Sequence, residues 1–193
     1  SQLPASVRVC RAFLNARNVQ TKLFLEGHGF VFNSHSSTFR ATSPIASATS
    51  PVAVSELTDS QRASFKALHE SLFPTAVDTG EDILHTLCED IKVFVVAQDA
   101  SSIKGYVYCG VKGPEGYIHF IGVAPEHRRQ GNAAALLHRA LSFLMLERHQ
   151  PQVGLTVADA DQGAWRLYER HGFSLIDGGI GGKLTLTQPQ TPD

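Results

Sequence analysis

The sequence predicts a layered α/β (α+β) domain whose mixed, twisted β-sheet is flanked by helices. Three observations lead there. From Val52 onward, short apolar runs alternate with apolar stripes at helical spacing. Across residues 121–137 a strand, a tight turn and a long amphipathic helix follow one another. A stretch near the N-terminus repeats one near the C-terminus. A chain of 193 residues, 42% hydrophobic, suits one domain with a real core and an appendage.

The elements follow in order. Val52 to Leu57 reads as a short strand. Thr58 and Gln61 stand at capping-box spacing, and Phe65, Leu68 and Leu72 continue at helical intervals until Pro74 stops the helix. A second helix starts near Thr79, with Ile83, Leu84, Leu87 and Cys88 on one side. Val93 to Ala97, Ile103 to Val111 and Tyr117 to Val123 are strands separated by turns at Asp99 to Ser102 and Gly113 to Gly116. Asn132 to Arg148 is a long helix buried along Leu136, Leu137, Ala140, Leu141 and Leu144. Val153 to Val157 is a strand and Gln162 to His171 a short helix. Two terminal strands, Phe173 to Ile176 and Lys183 to Thr187, are joined by the glycine-rich Asp177 to Gly182, read as a flexible hairpin turn.

Composition removes several function classes. A formal net charge of −1 gives no global field for nucleic acid or an anionic membrane, and no basic stripe marks a nucleic-acid face. No apolar run is long enough to span a bilayer, and Ser1 to Arg11 does not read as a signal peptide. Cys10, Cys88 and Cys109 form no disulfide or metal framework, which fits a reducing cytoplasmic setting. The nine histidines lack metal spacing, so no metal is expected.

The repeat divides the chain. Asn18 to Phe30 reads NVQTKLFLEGHGF, and Asp161 to Phe173 reads DQGAWRLYERHGF. Aligned without gaps they share Glu26/Glu169, His28/His171, Gly29/Gly172 and Phe30/Phe173. Each precedes a strand, Thr38 to Thr42 in the first copy. The expected organisation is therefore residues 1–42 as the C-terminal part of an incomplete copy, 43–51 as a linker, 52–187 as a complete domain and 188–193 as a tail. An incomplete copy leaves a sheet edge and an apolar face open, which implies a homo-oligomer or a missing N-terminal half.

Ile121 to Leu137 reads IGVAPEHRRQGNAAALL. Arg128, Gly131 and Ala133 make R-x-x-G-x-A between a strand and a helix. Backbone amides of Arg129, Gln130, Gly131, Asn132, Ala133 and Ala134 can converge on one anion there, aided by the helix dipole. Gly131 permits close backbone approach, and Arg128 and Arg129 add charge. About thirty residues on comes D-x-x-A-x-x-L-Y-x-x-x-G-F, running through Asp161, Ala164, Leu167, Tyr168, Gly172 and Phe173. Asp161 suits a helix N-cap and Gly172 the left-handed residue after the helix.

These two elements resemble the cofactor turn and the following strand–helix motif of the Gcn5-related N-acetyltransferases, and the element order agrees over about 135 residues. Asp161 departs from the usual Asn, and Asn132-Ala133 stands where glycines are commoner. The resemblance implies acetyl-CoA as donor, bound by residues 128–134 with Asp161, Ala164 and Tyr168, and direct attack by an amine in a ternary complex. It also implies a bulged middle strand, placed at Gly122, with Ile121 and Val123 as backbone contacts and the Val123 amide on the carbonyl oxygen. Tyr168 stands at the family's tyrosine position, where a phenol with a pKa of about 10 can protonate the leaving sulfur. Its counterpart in the first copy is Leu25, so that copy lacks the donor.

For the base, strand alternation puts Tyr117 and His119 on one face, with His119 ranked slightly ahead and Glu115 acting only through water. The acceptor, a small amine or a peptide N-terminus, is expected between residues 73–79 and 177–182. The competing reading is a non-catalytic acyl-CoA-binding or regulatory module. A dinucleotide-binding domain is poorly supported, because no G-x-G-x-x-G follows an early strand.

Overall fold

A computed structural model describes residues 9–43 and 51–185. The expected linker at 43–51 and the tail at 188–193 therefore fall almost wholly outside the described residues. The chain divides into two compact units. The larger holds Arg40–Leu155 and Leu167–Ser174, and the smaller holds Ser1–Phe39, Thr156–Arg166 and Leu175–Asp193.

The larger unit begins with β3 (Ser55–Glu56), shorter than its apolar run. A single 3₁₀ turn, Asp59–Gln61, leads into α2 (Arg62–Leu72). Gln61 Oε1 accepts the Thr58 N–H at 3.2 Å, as the capping spacing predicts. Thr79 caps α3 (Gly80–Thr86), its hydroxyl oxygen accepting from the Asp82 amide at 3.1 Å. Strands β4 (Ile91–Ala97), β5 (Ile103–Lys112) and β6 (Glu115–Val123) form an antiparallel meander, and β6 pairs in parallel with the start of β7 (Val153–Ala158).

Alternation along β4 sorts the helices onto opposite faces. Val93 and Val95 join Phe65, Ile83, Tyr106 and Tyr108 in the core under α2 and α3. Phe94 points the other way, against the Arg139 guanidinium at 4.0 Å and the Phe143 ring at 5.4 Å. Those two residues belong to α4 (Asn132–Leu141) and its continuation, Ser142–Glu147, which winds as π-helix. The predicted stripe Leu136, Leu137, Ala140, Leu141 and Leu144 is buried throughout.

In the smaller unit the strand order is β1-β8-β2-β7, with β1 (Val9–Asn15) antiparallel to β8 (Ser174–Thr185) and β2 spanning Val31–Ala41. Here one expectation is overturned. Residues 177–182 are not a loop but the middle of β8, with Gly179, Ile180, Gly181 and Gly182 facing Asn15, Leu14, Phe13 and Ala12. Glycine disfavours a strand when alone, but β1 supplies a full ladder partner here. A Cβ on Gly179 would also meet Ser36 Oγ at 3.0 Å and the Leu14 carbonyl oxygen at 3.4 Å.

The two halves of the sequence repeat share one backbone design. Helix α1 is Val19–Gly27 and α5 is Gln162–Arg170. Asn18 Oδ1 accepts from Thr21 N–H at 3.3 Å, and Asp161 Oδ1 accepts from Ala164 N–H at 2.9 Å. Gly29 and Gly172 both take positive φ, at 87° and 75°. The next amides close matching caps, Phe30 to Leu25 O at 3.0 Å and Phe173 to Tyr168 O at 3.1 Å. His28 and His171 donate from Nδ1 to the carbonyls of Phe24 and Leu167, at 2.7 and 2.6 Å.

Candidate functional site

Strand β6 departs from simple alternation. Tyr108 faces Phe120 while the next residue, Cys109, faces Ile118, so His119 is the extra residue of a β-bulge. The expected bulge at Gly122 is thus corrected to His119, three residues earlier. Gly122 pairs regularly with Tyr106. Its small size answers a different need, since a Cβ there would meet Leu72 Cδ1 at 2.6 Å and Phe73 Cε2 at 3.3 Å.

The bulge has two consequences. It brings His119 and Phe120, neighbours in sequence, to the same face: His119 stacks on Tyr108 at 4.8 Å, and Phe120 lies 4.9 Å from the His69 ring. It also marks the end of the β6–β7 ladder, which covers Gly116, Tyr117 and Ile118 and goes no further. Beyond it, backbone polarity can be traced. The Ala124 N–H donates to the Lys104 carbonyl at 2.9 Å, toward β5. Strand parity then turns the N–H and C=O of Val123 and Ile121 to the opposite edge. Arg128 agrees, because its Nε donates to the Val123 carbonyl at 3.1 Å.

After β6, Pro125–His127 makes one 3₁₀ turn. Arg129 and Gly131 both adopt left-handed backbone, with φ of 62° and 82°. The Ala135 N–H closes the first helical bond to Gly131 O at 3.0 Å. The amides of Asn132, Ala133 and Ala134 therefore precede the first i−4 acceptor and are offered outward. A Cβ on Gly131 would meet nothing within 4 Å, so the space above the turn is open. Asn132, unusual in the sequence pattern, is 5% exposed and donates from Nδ2 to the His127 carbonyl at 2.8 Å, bracing the turn. Amides offered outward beside open space make a concave turn of a size and polarity that could accept a phosphate-sized anion.

The predicted acid–base residues sit as follows. His119 is half-buried between Tyr108 and the Tyr117 ring, whose centroid lies 5.0 Å away. Burial, and secondarily the Lys112 charge, lower its pKa below the usual histidine value. Lys112 Nζ lies over Tyr117 at 4.5 Å. Glu115 is half-buried, paired with Arg40 at 3.2 Å and with the Gln152 amide at 3.2 Å, so its carboxylate is already engaged. Tyr168 is 5% exposed and packs against Phe173 at 5.8 Å. Residues 117, 119, 121–123, 128–134 and 168 all belong to the larger unit, whereas Asp161 and Ala164 belong to the smaller. Cys109 is fully buried, which pushes its thiol up to about 12 and leaves no thiolate nucleophile there at neutral pH.

Sequence reading missed His69. It is 1% exposed at the end of α2, accepts from the Tyr106 hydroxyl at Nδ1 (2.5 Å) and donates from Nε2 to the Asp78 carbonyl (2.9 Å). The Asp78 bond fixes the tautomer, and burial holds the Tyr106 phenol protonated. The pair ties residues 73–79 to the sheet. The available signal was His69 four residues after Phe65, on the buried face of α2.

Against known proteins, the model of the acetyltransferase (GNAT) family matches residues 55–173. Among solved structures, a GCN5-related N-acetyltransferase from Sphaerobacter thermophilus superposes with a TM-score of 0.69 at 22% identity, over 94% of this chain and 61% of that one. One from Kribbella flavida gives 0.67 at 15% identity, over 90% and 67%. A tandem GNAT protein from the clavulanic acid biosynthesis pathway gives 0.65 at 11% identity, over 92% and 63%. At these identities the superpositions speak for the fold.

Proposed function

The chain belongs to the acetyltransferase (GNAT) family, and from that premise we propose that it transfers an acetyl group from acetyl-CoA to a primary amine of a small molecule or peptide. Acyl-CoA-dependent transfer follows from the family; the acetyl group, the amine and the residue roles are our reading. The observation that carries it is the continuity of β6 with the anion cradle. The outward backbone edge at Ile121 and Val123 lies a few residues before amides able to hold a pyrophosphate. A pantetheine arm fits the first and a diphosphate the second.

In this reading the residues divide the work. The amides of residues 129–134 bind the diphosphate, with Arg129 adding charge. The Ile121 and Val123 backbone aligns the arm, and the Val123 N–H stabilises charge developing on the thioester oxygen. His119, held neutral by its surroundings, removes a proton as the amine nitrogen attacks the carbonyl carbon. The carbon–sulfur bond breaks and Tyr168 gives its phenolic proton to the sulfur. The products are an N-acyl amine and free CoA thiol. Residues 73–79, held by His69, wall the acceptor side; residues 177–182, expected to add a loop to it, are strand.

The test measures CoA thiol release from acetyl-, propionyl- and succinyl-CoA against a panel of small amines and peptides. Tyr168→Phe serves as control. Amine-dependent release fastest with acetyl-CoA, and at least about a hundredfold slower in Tyr168→Phe, is expected. Equal rates in the two proteins would remove Tyr168 from the mechanism.

A further inference from the structure

The two copies of the repeat share a backbone but not an environment. In the second copy Val153, Leu155, Tyr168 and Phe173 are 0–5% exposed. Their counterparts in the first, Cys10, Ala12, Leu25 and Phe30, are all half-exposed. Helix α1 has no buried residue, and Phe24 beside Leu25 is 62% exposed. Surface apolar residues scattered singly need no explanation, but Phe13, Val19, Leu23 and Phe24 cluster on one β–α unit.

Strand order identifies what is absent. β1 pairs with β8 on one side and, among the described residues, with no strand on the other. Its counterpart β7 has β2 on one side and β6, in parallel, on the other. Since β2 and β8 are themselves counterparts, the empty edge of β1 corresponds to the place of β6. A parallel neighbour requires a crossover, which for β6 and β7 is α4. That helix also reaches the end of α5, where His138 lies 4.9 Å from His171. The counterpart of His171 is the exposed His28, beside Phe24.

We propose that the β1–α1 face is a docking surface for a strand–helix unit of the β6–α4 type, preceding β1 in the same polypeptide. Its strand runs parallel to β1 opposite Cys10 and Ala12, and its helix covers Phe24, Leu25 and His28. One occupant accounts for both the empty edge and the apolar face. A second copy of this chain is a poorer occupant, because its own β6 and α4 are already engaged with β7 and with the sheet. The inference rests on the repeat and stands apart from the acyl-transfer reading.

Hydrogen exchange on the 193-residue chain comes first. Amides of residues 9–15 and 19–27 should exchange about tenfold faster than those of 153–158 and 162–170. The chain is then extended by its own residues 52–143 placed directly before Ser1, which sets β6 and α4 ahead of β1 at the spacing they have ahead of β7. In the extended protein those amides gain protection, and alkylation of Cys10 by N-ethylmaleimide slows about tenfold. Leu25→Lys in that protein restores both fast rates. The proposal is overturned if the original chain already protects residues 9–27. It is also overturned if sedimentation shows self-association that protects β1, or if the extended protein gains the added helix by circular dichroism yet leaves Cys10 equally reactive.

Discussion

Replacing Gly131 separates backbone strain from ligand charge. Its φ of 82° lies where a Cβ is disfavoured, while the space around that Cβ is empty. Gly131→Ala should therefore cost strain without a clash, about 1–2 kcal/mol. For a chain of this size that lowers Tm by roughly 2–8 °C. Gly131→Glu carries the same strain, but its carboxylate sits at the start of α4, where the helix dipole returns about 0.3–1 kcal/mol. The glutamate variant should thus be no less stable than the alanine variant. In binding the order reverses. A carboxylate in the cradle opposes the diphosphate, and a loss of about 1.4–2.8 kcal/mol weakens acetyl-CoA by about ten- to a hundredfold. Thermal unfolding and calorimetric titration of the three proteins read both quantities. A glutamate variant that binds acetyl-CoA within twofold of the original chain would refute the cradle. An alanine variant of unchanged Tm would refute the strain.

The remaining predictions concern single side chains. His119 has a folded pKa below its unfolded value, so its neutral form contributes stability that is full above about pH 6.5 and lost as pH falls through the lowered value. His119→Gln should flatten that acid loss, and Lys112→Met should raise the His119 pKa in an NMR titration, since Lys112 is one of its lowering influences. An unchanged titration would remove Lys112 from that balance. Tyr106→Phe leaves His69 Nδ1 without its donor and should cost about 1–3 kcal/mol in urea unfolding, with faster hydrogen exchange in residues 73–79. Unaltered exchange there would mean that His69 does not hold that segment. Phe39, fully buried with its ring 5.0 Å from Trp165, should cost about 3–5 kcal/mol on replacement by Ala, read by chemical unfolding of the smaller unit.

The sequence by itself determined the elements whose signals are local. The stripe of α4, the capping pair Thr58 and Gln61, the cap at Asp161 and the left-handed Gly172 were all legible, because each rests on residues within one or two helical turns. The strand–turn–helix backbone around Gly131 was legible for the same reason, since Arg129, Gly131 and the helix start lie in one short stretch. What the tertiary structure decided was everything set by a distant partner. Residues 177–182 carry every sign of a turn, yet β1 makes them strand. The bulge belongs to His119 because a bulge is a mismatch between two strands, and nothing in β6 alone records where β5 loses register. His69 became visible only when Tyr106 and Asp78, far apart in sequence, met its two ring nitrogens. Local free energy is written in neighbouring residues; pairing and burial depend on which strand or side chain arrives from elsewhere in the chain.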